Sequence, residues 1–188
     1  IDPDLARIHT ELGVPPLWER PPGFPSLVHI ILEQQVSLAS AKAAMTRLQA
    51  ALPDVSPAAF LTLSDDHLKQ IGFSRQKTAY CRGLAQAILS GDLDLDHLTT
   101  LDDHAARNTL IQIKGIGPWT ADIYLLMALL RPDIWPVGDL ALITALREVK
   151  GLESRPSQET ADQFAHAWQP WRAVAARLLW LYYLRPRG

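Results

Sequence analysis

Cysteine is almost absent: Cys81 is the only one in 188 residues. That excludes an intrachain disulfide, a cysteine-ligated zinc site and a four-cysteine iron–sulfur cluster. Histidine does not fill the gap, because His9, His29, His67, His97, His104 and His166 include no i, i+4 pair and no zinc motif. Long apolar runs are missing; the longest is Ile123 to Leu130, far short of the roughly 20 residues that span a bilayer. Alternating strand patterns and paired hairpin signals are missing too, as are internal repeats and low-complexity tracts. Neither sign of charge dominates: 18 Lys and Arg face 20 Asp and Glu, a net charge of −2, so bulk charge does not point to nucleic acid. No signal-peptide pattern opens the chain. It starts on Ile rather than Met, so a trimmed native N-terminus and a soluble, cytoplasmic protein are expected.

What remains is an ordinary globular balance, 48% apolar and 20% charged, for which folding buries roughly 70% of the chain's surface. Almost every segment reads as helix. Asp2-Pro3-Asp4 opens the first, and a proline-rich connector from Pro15 to Pro25 follows. Ser37, Ser56, Ser64, Ser74 and Asp102 or Asp103 start further helices. A helix is expected from Trp119 to Leu130, another after Asp139, and two more near 158–168 and 171–184. The fold class is all-α. Charge is uneven: from Leu140 onward 7 Lys and Arg face 4 Asp and Glu, a net +3, and the preceding part holds 11 against 16, a net −5. A DNA binder of this kind needs directed contacts, such as main-chain amides, more than a basic face.

Three features carry chemistry. In Lys114-Gly115-Ile116-Gly117-Pro118 an amphipathic helix meets a glycine turn and a second helix. Glycine lets an anion approach the main chain, and the second helix's first-turn amides and dipole make a phosphate site. An ordinary helix–turn–helix corner fits the same pattern. Asp139 follows Trp135-Pro136-Val137-Gly138; it reads as an N-cap and, compatibly, as a carboxylate kept ionised to stabilise a cationic transition state or orient water. The six tryptophans, Trp18, Trp119, Trp135, Trp168, Trp171 and Trp180, are about double the usual share. They suit a core, or a stacked and positively charged base.

LIQIKGIGPWTADIYLL followed by WPVGD resembles the helix–hairpin–helix, Gly/Pro-rich loop and Asp signature of a DNA glycosylase superfamily. HIILEQQVSLASA and WQPWRAVAARLLW resemble its 3-methyladenine DNA glycosylase II branch, which removes alkylated purines. The resemblance runs from about Phe24 to Leu184. It implies two helical lobes with a DNA-binding cleft between them: residues 1–24 with 131–188 carrying the catalytic acid, and 25–130 ending in the helix–hairpin–helix at 105–130. It implies that Asp139 is the catalytic acid and that Lys114, Gly115, Ile116, Gly117, Pro118 and Thr120 grip phosphate. Main-chain oxygens of Ile111, Ile113 and Ile116 would hold a monovalent Na+ or K+; no other cofactor is required and no iron–sulfur cluster is expected. Trp119 and Trp180 would line the base pocket. Ile123, which stands where some relatives place a pocket tyrosine, and Tyr124, one position on and about 100° around the helix, are the other residues expected to line it. Gln34, Gln35 and Ser37 belong to the loop that plugs the gap left by the flipped nucleotide; Gln35 replaces the leucine of some relatives. Larger bacterial relatives carry an N-terminal β-domain for which this chain is too short.

Trp119 occupies the place where strand-cutting relatives have a Schiff-base lysine, so a monofunctional enzyme leaving an abasic site is expected. The expected partner is double-stranded DNA carrying alkylated bases, met by a monomer with no membrane association, in the cytoplasm or, in a bacterium, at the nucleoid. A non-catalytic hairpin protein that binds DNA, a helical protein-interaction module, and a glycosylase for another damaged base are the competing readings. Ser26, Ser37 and Ser40 lack a nucleophile elbow. Arg75, Lys77, Arg82, Arg172 and Arg177 are read as solvated helix faces or phosphate contacts, and Cys81 as buried.

Overall fold

The computed structural model describes residues 2–186, and among them every regular element is helical. The helices are α1 (Pro3–Leu12), α2 (Phe24–Glu33), α3 (Leu38–Ala51), α4 (Pro57–Thr62), α5 (Asp65–Ile71), α6 (Arg75–Ser90), α7 (Asp103–Ile111), α8 (Pro118–Met127), α9 (Leu140–Val149), α10 (Gln158–His166) and α11 (Arg172–Leu184), with a 3-10 turn at His97–Thr100 between α6 and α7. The starts follow the local chemistry. Asp2, Ser37, Ser56, Ser64, Ser74, Asp102, Asp139 and Ser157 each turn a side-chain oxygen onto a first-turn amide, satisfying a donor the helix leaves open.

The chain divides into two compact units, Ile1–Glu19 with Leu130–Gly188, and Arg20–Leu129; residues 1, 187 and 188 at the outer ends lie outside the described residues. The connector 20–24, expected with the terminal lobe, belongs to the central one. The Arg20 amide donates to the Met127 carbonyl at 3.0 Å, its guanidinium meets Glu33 at 2.7 and 3.1 Å, and the Gly23 amide donates to the Tyr124 hydroxyl at 3.0 Å.

In the central unit α2 is apolar almost all round and packs on α3, α6 and α8, as a helix enclosed by neighbours must. Phe24, Phe60 and Phe73 form a run of ring contacts at 5.7 and 5.6 Å. In the terminal unit α11 lies against α1, α9 and α10; Ala173, Ala175 and Ala176 keep it slim enough for close approach. Trp135 and Trp168 meet there at 5.6 Å. Trp135 is 6% exposed, so this residue of the WPVGD segment belongs to the core of the unit.

Candidate functional site

The hairpin is a turn between α7 and α8. The Ile116 amide donates to the Ile113 carbonyl at 2.9 Å, and Gly115 adopts φ 97°. Any Cβ at Gly115 would collide with the ring and Cβ of Tyr80 on α6, so the turn rests directly on that tyrosine. Gly117 is different: φ is −86° and a Cβ there would meet nothing within 4 Å. Gly117, Pro118 and Lys114 are exposed, and Ile116 is buried. The stem is locked by Arg107 of α7 and Asp122 of α8, 2.9 and 3.0 Å apart at two atom pairs, with Asp122 almost wholly buried.

Two expected DNA contacts face inward. The Gln34 side-chain nitrogen, at the C-terminus of α2, donates to the Gly115 carbonyl and to the Thr120 hydroxyl, both at 2.9 Å. Thr120 is 2% exposed. Thr120 is shut off from solvent and Gln34 is half-buried, and together they tie the α2 end to the hairpin. Gln35 and Ser37 are exposed; Gln35 takes a left-handed φ of 57°, and Ser37 caps α3 by accepting from the Ser40 amide at 3.2 Å. Val36 and Leu38 flank the same turn and are exposed.

Trp119, at the second position of α8, is half-buried. Ile123 and Tyr124 are interior, at 2% and 0% exposure. The expectation that they line a base pocket is corrected accordingly: Tyr124 fixes the Gly23 amide, and burial pushes its hydroxyl pKa up against that bond's opposing pull. The carbonyls of Ile111, Ile113 and Ile116 are neutral, hard donors, chemistry that fits a monovalent ion and not zinc or copper. No group of three or more His, Cys, Asp or Glu among the described residues could hold a metal.

Asp139 caps α9 and is 8% exposed. Its Oδ1 accepts from the Leu142 amide at 2.9 Å and from Trp180 Nε1 at 3.3 Å. Two donors on one oxygen fix the rotation of the carboxylate. Trp18, in the proline-rich connector, meets Trp180 edge to face, with centroids 6.1 Å apart and planes at 85°. Its φ is 47°, a left-handed value that a bulky side chain rarely takes and that costs of order 1–3 kcal/mol. Arg177 holds the neighbouring turn: its Nε donates to the Leu17 carbonyl at 3.0 Å, and burial lowers its pKa.

The basic candidates are mostly committed internally. Lys77 donates to the Leu32 carbonyl, Arg82 to Asp65 and the Leu61 and Leu63 carbonyls, and Arg172 to Asp133. Arg75 stays exposed. Arg177, read as a solvated helix face or a phosphate contact, is instead buried on the Leu17 carbonyl, and nothing in the sequence signalled Tyr80, since its contact with Gly115 lies far along the chain.

The family model of HhH-GPD superfamily base excision DNA repair proteins matches residues 28–171. A DNA-3-methyladenine glycosylase of Bacillus subtilis is 28% identical over 183 residues, which cover 90% of this chain and 58% of that protein. The chain therefore spans little more than half of that relative. A solved DNA-3-methyladenine glycosidase from Bacillus halodurans is 30% identical with a TM-score of 0.82, covering 97% of this chain and 85% of that one. A 3-methyladenine DNA glycosylase of Schizosaccharomyces pombe, solved with abasic DNA, superposes with a TM-score of 0.86 at 24% identity, covering 96% and 91%, a match of fold.

Proposed function

Since this chain belongs to the HhH-GPD superfamily of base excision DNA repair proteins, we propose that it is a monofunctional DNA glycosylase that hydrolyses the N-glycosidic bond of alkylated purines such as 3-methyladenine and leaves an abasic site. The observation that carries the reading is Asp139, a buried carboxylate whose Oδ1 is held by a helix-end amide and an indole N–H. The central unit grips duplex DNA through the exposed Lys114, Gly117 and Pro118 and the first-turn amides of α8. Gln35, exposed at the α2–α3 turn, fills the gap left by the flipped nucleotide. Ile111, Ile113 and Ile116 would hold Na+ or K+ through their carbonyls, adding positive charge at the phosphate.

Alkylation at N3 or N7 makes the purine a cation and a good leaving group, so little protonation chemistry is needed. As the bond breaks, the sugar becomes oxocarbenium-like; Asp139 stabilises it and orients the attacking water. Trp180, which holds Asp139 in the terminal unit, stacks on the base. Position 119 offers no amine, so no Schiff base forms and the strand stays intact.

The test is release of free base from methylated duplex DNA by the wild type and by Asp139→Asn. Asparagine caps a helix as well as aspartate, so the fold is kept and only the charge is removed. Activity is expected to fall about 10²–10³-fold with DNA binding retained. Strand breaks should appear only after alkali. DNA binding with no base release by the wild type would leave the hairpin as a binding device and overturn the enzyme.

A further inference from the structure

We propose that Lys77 is a positioning residue for extrusion of the damaged nucleotide: from the first turn of α6 its ammonium anchors the C-terminal end of α2 and so fixes where Gln35 stands at the α2–α3 turn. The inference rests on the proposed gap-filling role of Gln35. Lys77 Nζ donates to the Leu32 carbonyl at 2.7 Å. A helix leaves its last carbonyls without intrahelical partners. In α2, Ile31 accepts from the Gln34 amide at 3.3 Å and Glu33 from the Val36 amide at 3.5 Å, both long bonds. Leu32 receives its short one from Lys77, 45 positions along the chain. Charge points the same way. The first turn of α6 has no acid and carries Arg75 and Lys77, the wrong sign for the positive end of a helix. The last turn of α2 has no base and closes on Glu33, the wrong sign for the negative end. Lys77 is thus unfavourable for its own helix and favourable for its neighbour. It is half-buried, and burial lowers its pKa.

Three successive residues before Gln35 are held by three different elements. Leu32 is held by Lys77 of α6, Glu33 by Arg20 of the connector, and Gln34 by the Gly115 carbonyl and the Thr120 hydroxyl. On the far side Ser37 caps α3. Gln35 stands exposed between these anchors with its left-handed φ of 57°. A strained torsion persists only where its surroundings over-determine it, and such residues gather at functional places. A turn that only joined two helices would not need this many anchors. Arg20 also binds the connector to α8, and Gln34 also binds the hairpin. Among the described residues, the Lys77 ammonium makes its hydrogen bond to the α2 end alone, so its replacement tests the anchoring of that end.

Extruding a nucleotide is hardest when its base is paired and easiest when it is already unpaired. The test is single-turnover base release, at saturating enzyme, from duplex DNA carrying 7-methylguanine opposite cytosine or opposite a base-free sugar. Lys77→Met keeps the stem and removes the charge and the donor. It is expected to slow release about tenfold opposite cytosine, the scale of one hydrogen bond from a charged donor, and to stay within about twofold of the wild type opposite the base-free sugar. Lys77→Arg restores charge and donor and should recover most of the lost rate. A general loosening of the fold would slow both substrates alike. Unchanged release opposite cytosine in Lys77→Met overturns the proposal. So does an equal loss on both duplexes, or an arginine variant no better than methionine. If melting shows that Lys77→Met does not fold, Lys77→Gln, polar but shorter and uncharged, takes its place in the same comparison. Gln35→Ala should show the same split between substrates; without it the gap-filling role of Gln35 falls, and this inference with it. A wild type that releases no alkylated base overturns the glycosylase reading itself.

Discussion

At Gln34 one amide nitrogen serves two acceptors, the Gly115 carbonyl and the Thr120 hydroxyl. Gln34→Leu keeps the bulk and removes the donor. Each lost bond to a buried group costs about 1–3 kcal/mol, so denaturant unfolding should show a loss on that scale. DNA affinity at fixed salt should fall with it, because the hairpin is no longer tied to α2. The direction of this side chain was not legible in the sequence: its acceptors lie 81 and 86 positions away, and a glutamine beside a turn reads equally well as a surface contact. Asp139 was legible as a cap because the amide it holds, Leu142, lies three positions on; the Trp180 bond, 41 positions away, was not. Cys81 matches its sequence reading as a buried residue: it is 0% exposed, and burial pushes its thiol pKa far above the ordinary value against a smaller opposing pull from Lys77.

At the scale of elements, the two hairpin glycines separate by role. Gly115→Ala places a methyl group against Tyr80 at a positive φ; thermal melting should show a loss of about 1–3 kcal/mol or more, with weaker DNA binding as a consequence. Gly117→Ala meets empty space in the protein and alters only the cap of α8, worth about 1 kcal/mol or less. It should leave the melting curve nearly in place and still weaken DNA binding, because on the proposed function the added methyl stands where a phosphate approaches. Helix starts were legible because caps are local. Helix ends were less so: α8, expected to reach Leu130, stops at Met127, where the Leu129 amide reaches back to Tyr124 and Leu130 turns left-handed at φ 52°. The 3-10 turn at His97–Thr100 leaves no periodic pattern in the sequence because it is one turn long, set up by the Asp94 carboxylate holding the Asp96 and His97 amides.

At the scale of the molecule, the terminal unit is built from both ends of the chain, and a charge cluster joins them. Lys150 Nζ meets Asp2 at 2.7 Å and Asp4 at 2.8 Å, and Trp168 Nε1 donates to Asp2 at 2.9 Å. Burial pushes the Asp2 carboxyl up, but the bonds from Lys150, Trp168 and the Leu5 amide bring it below its ordinary 3.8. Burial pushes Lys150 down, and Asp2 and Asp4 carry it above its ordinary 10.5. A lowered carboxyl contributes stability that is present above 3.8 and is lost as pH falls through the folded value; a raised amine contributes below 10.5 and loses it as pH rises through its own. The melting-temperature gap between the wild type and Lys150→Met should therefore be widest near neutrality and narrow below pH 3.8. A constant gap across the acid range would show that the cluster acts by packing alone. None of this pairing was visible in the sequence, where Asp2 and Asp4 read only as helix-start residues.

The same two-ended construction has a consequence for biosynthesis. The hairpin-bearing unit is one uninterrupted stretch, 20–129, and its last contact is available as soon as Leu129 has been made. Trp18, by contrast, waits for Trp180, and at about 5–20 residues per second the ribosome takes roughly ten to thirty seconds to supply it. Through that interval the N-terminal segment carries unmet apolar surface, as α1 has no α11 to cover Leu5 and Ile8. A nascent chain thus completes the hairpin well before Trp180 arrives to hold Asp139, and a message cut short ahead of α11 encodes the hairpin without that indole–carboxylate bond.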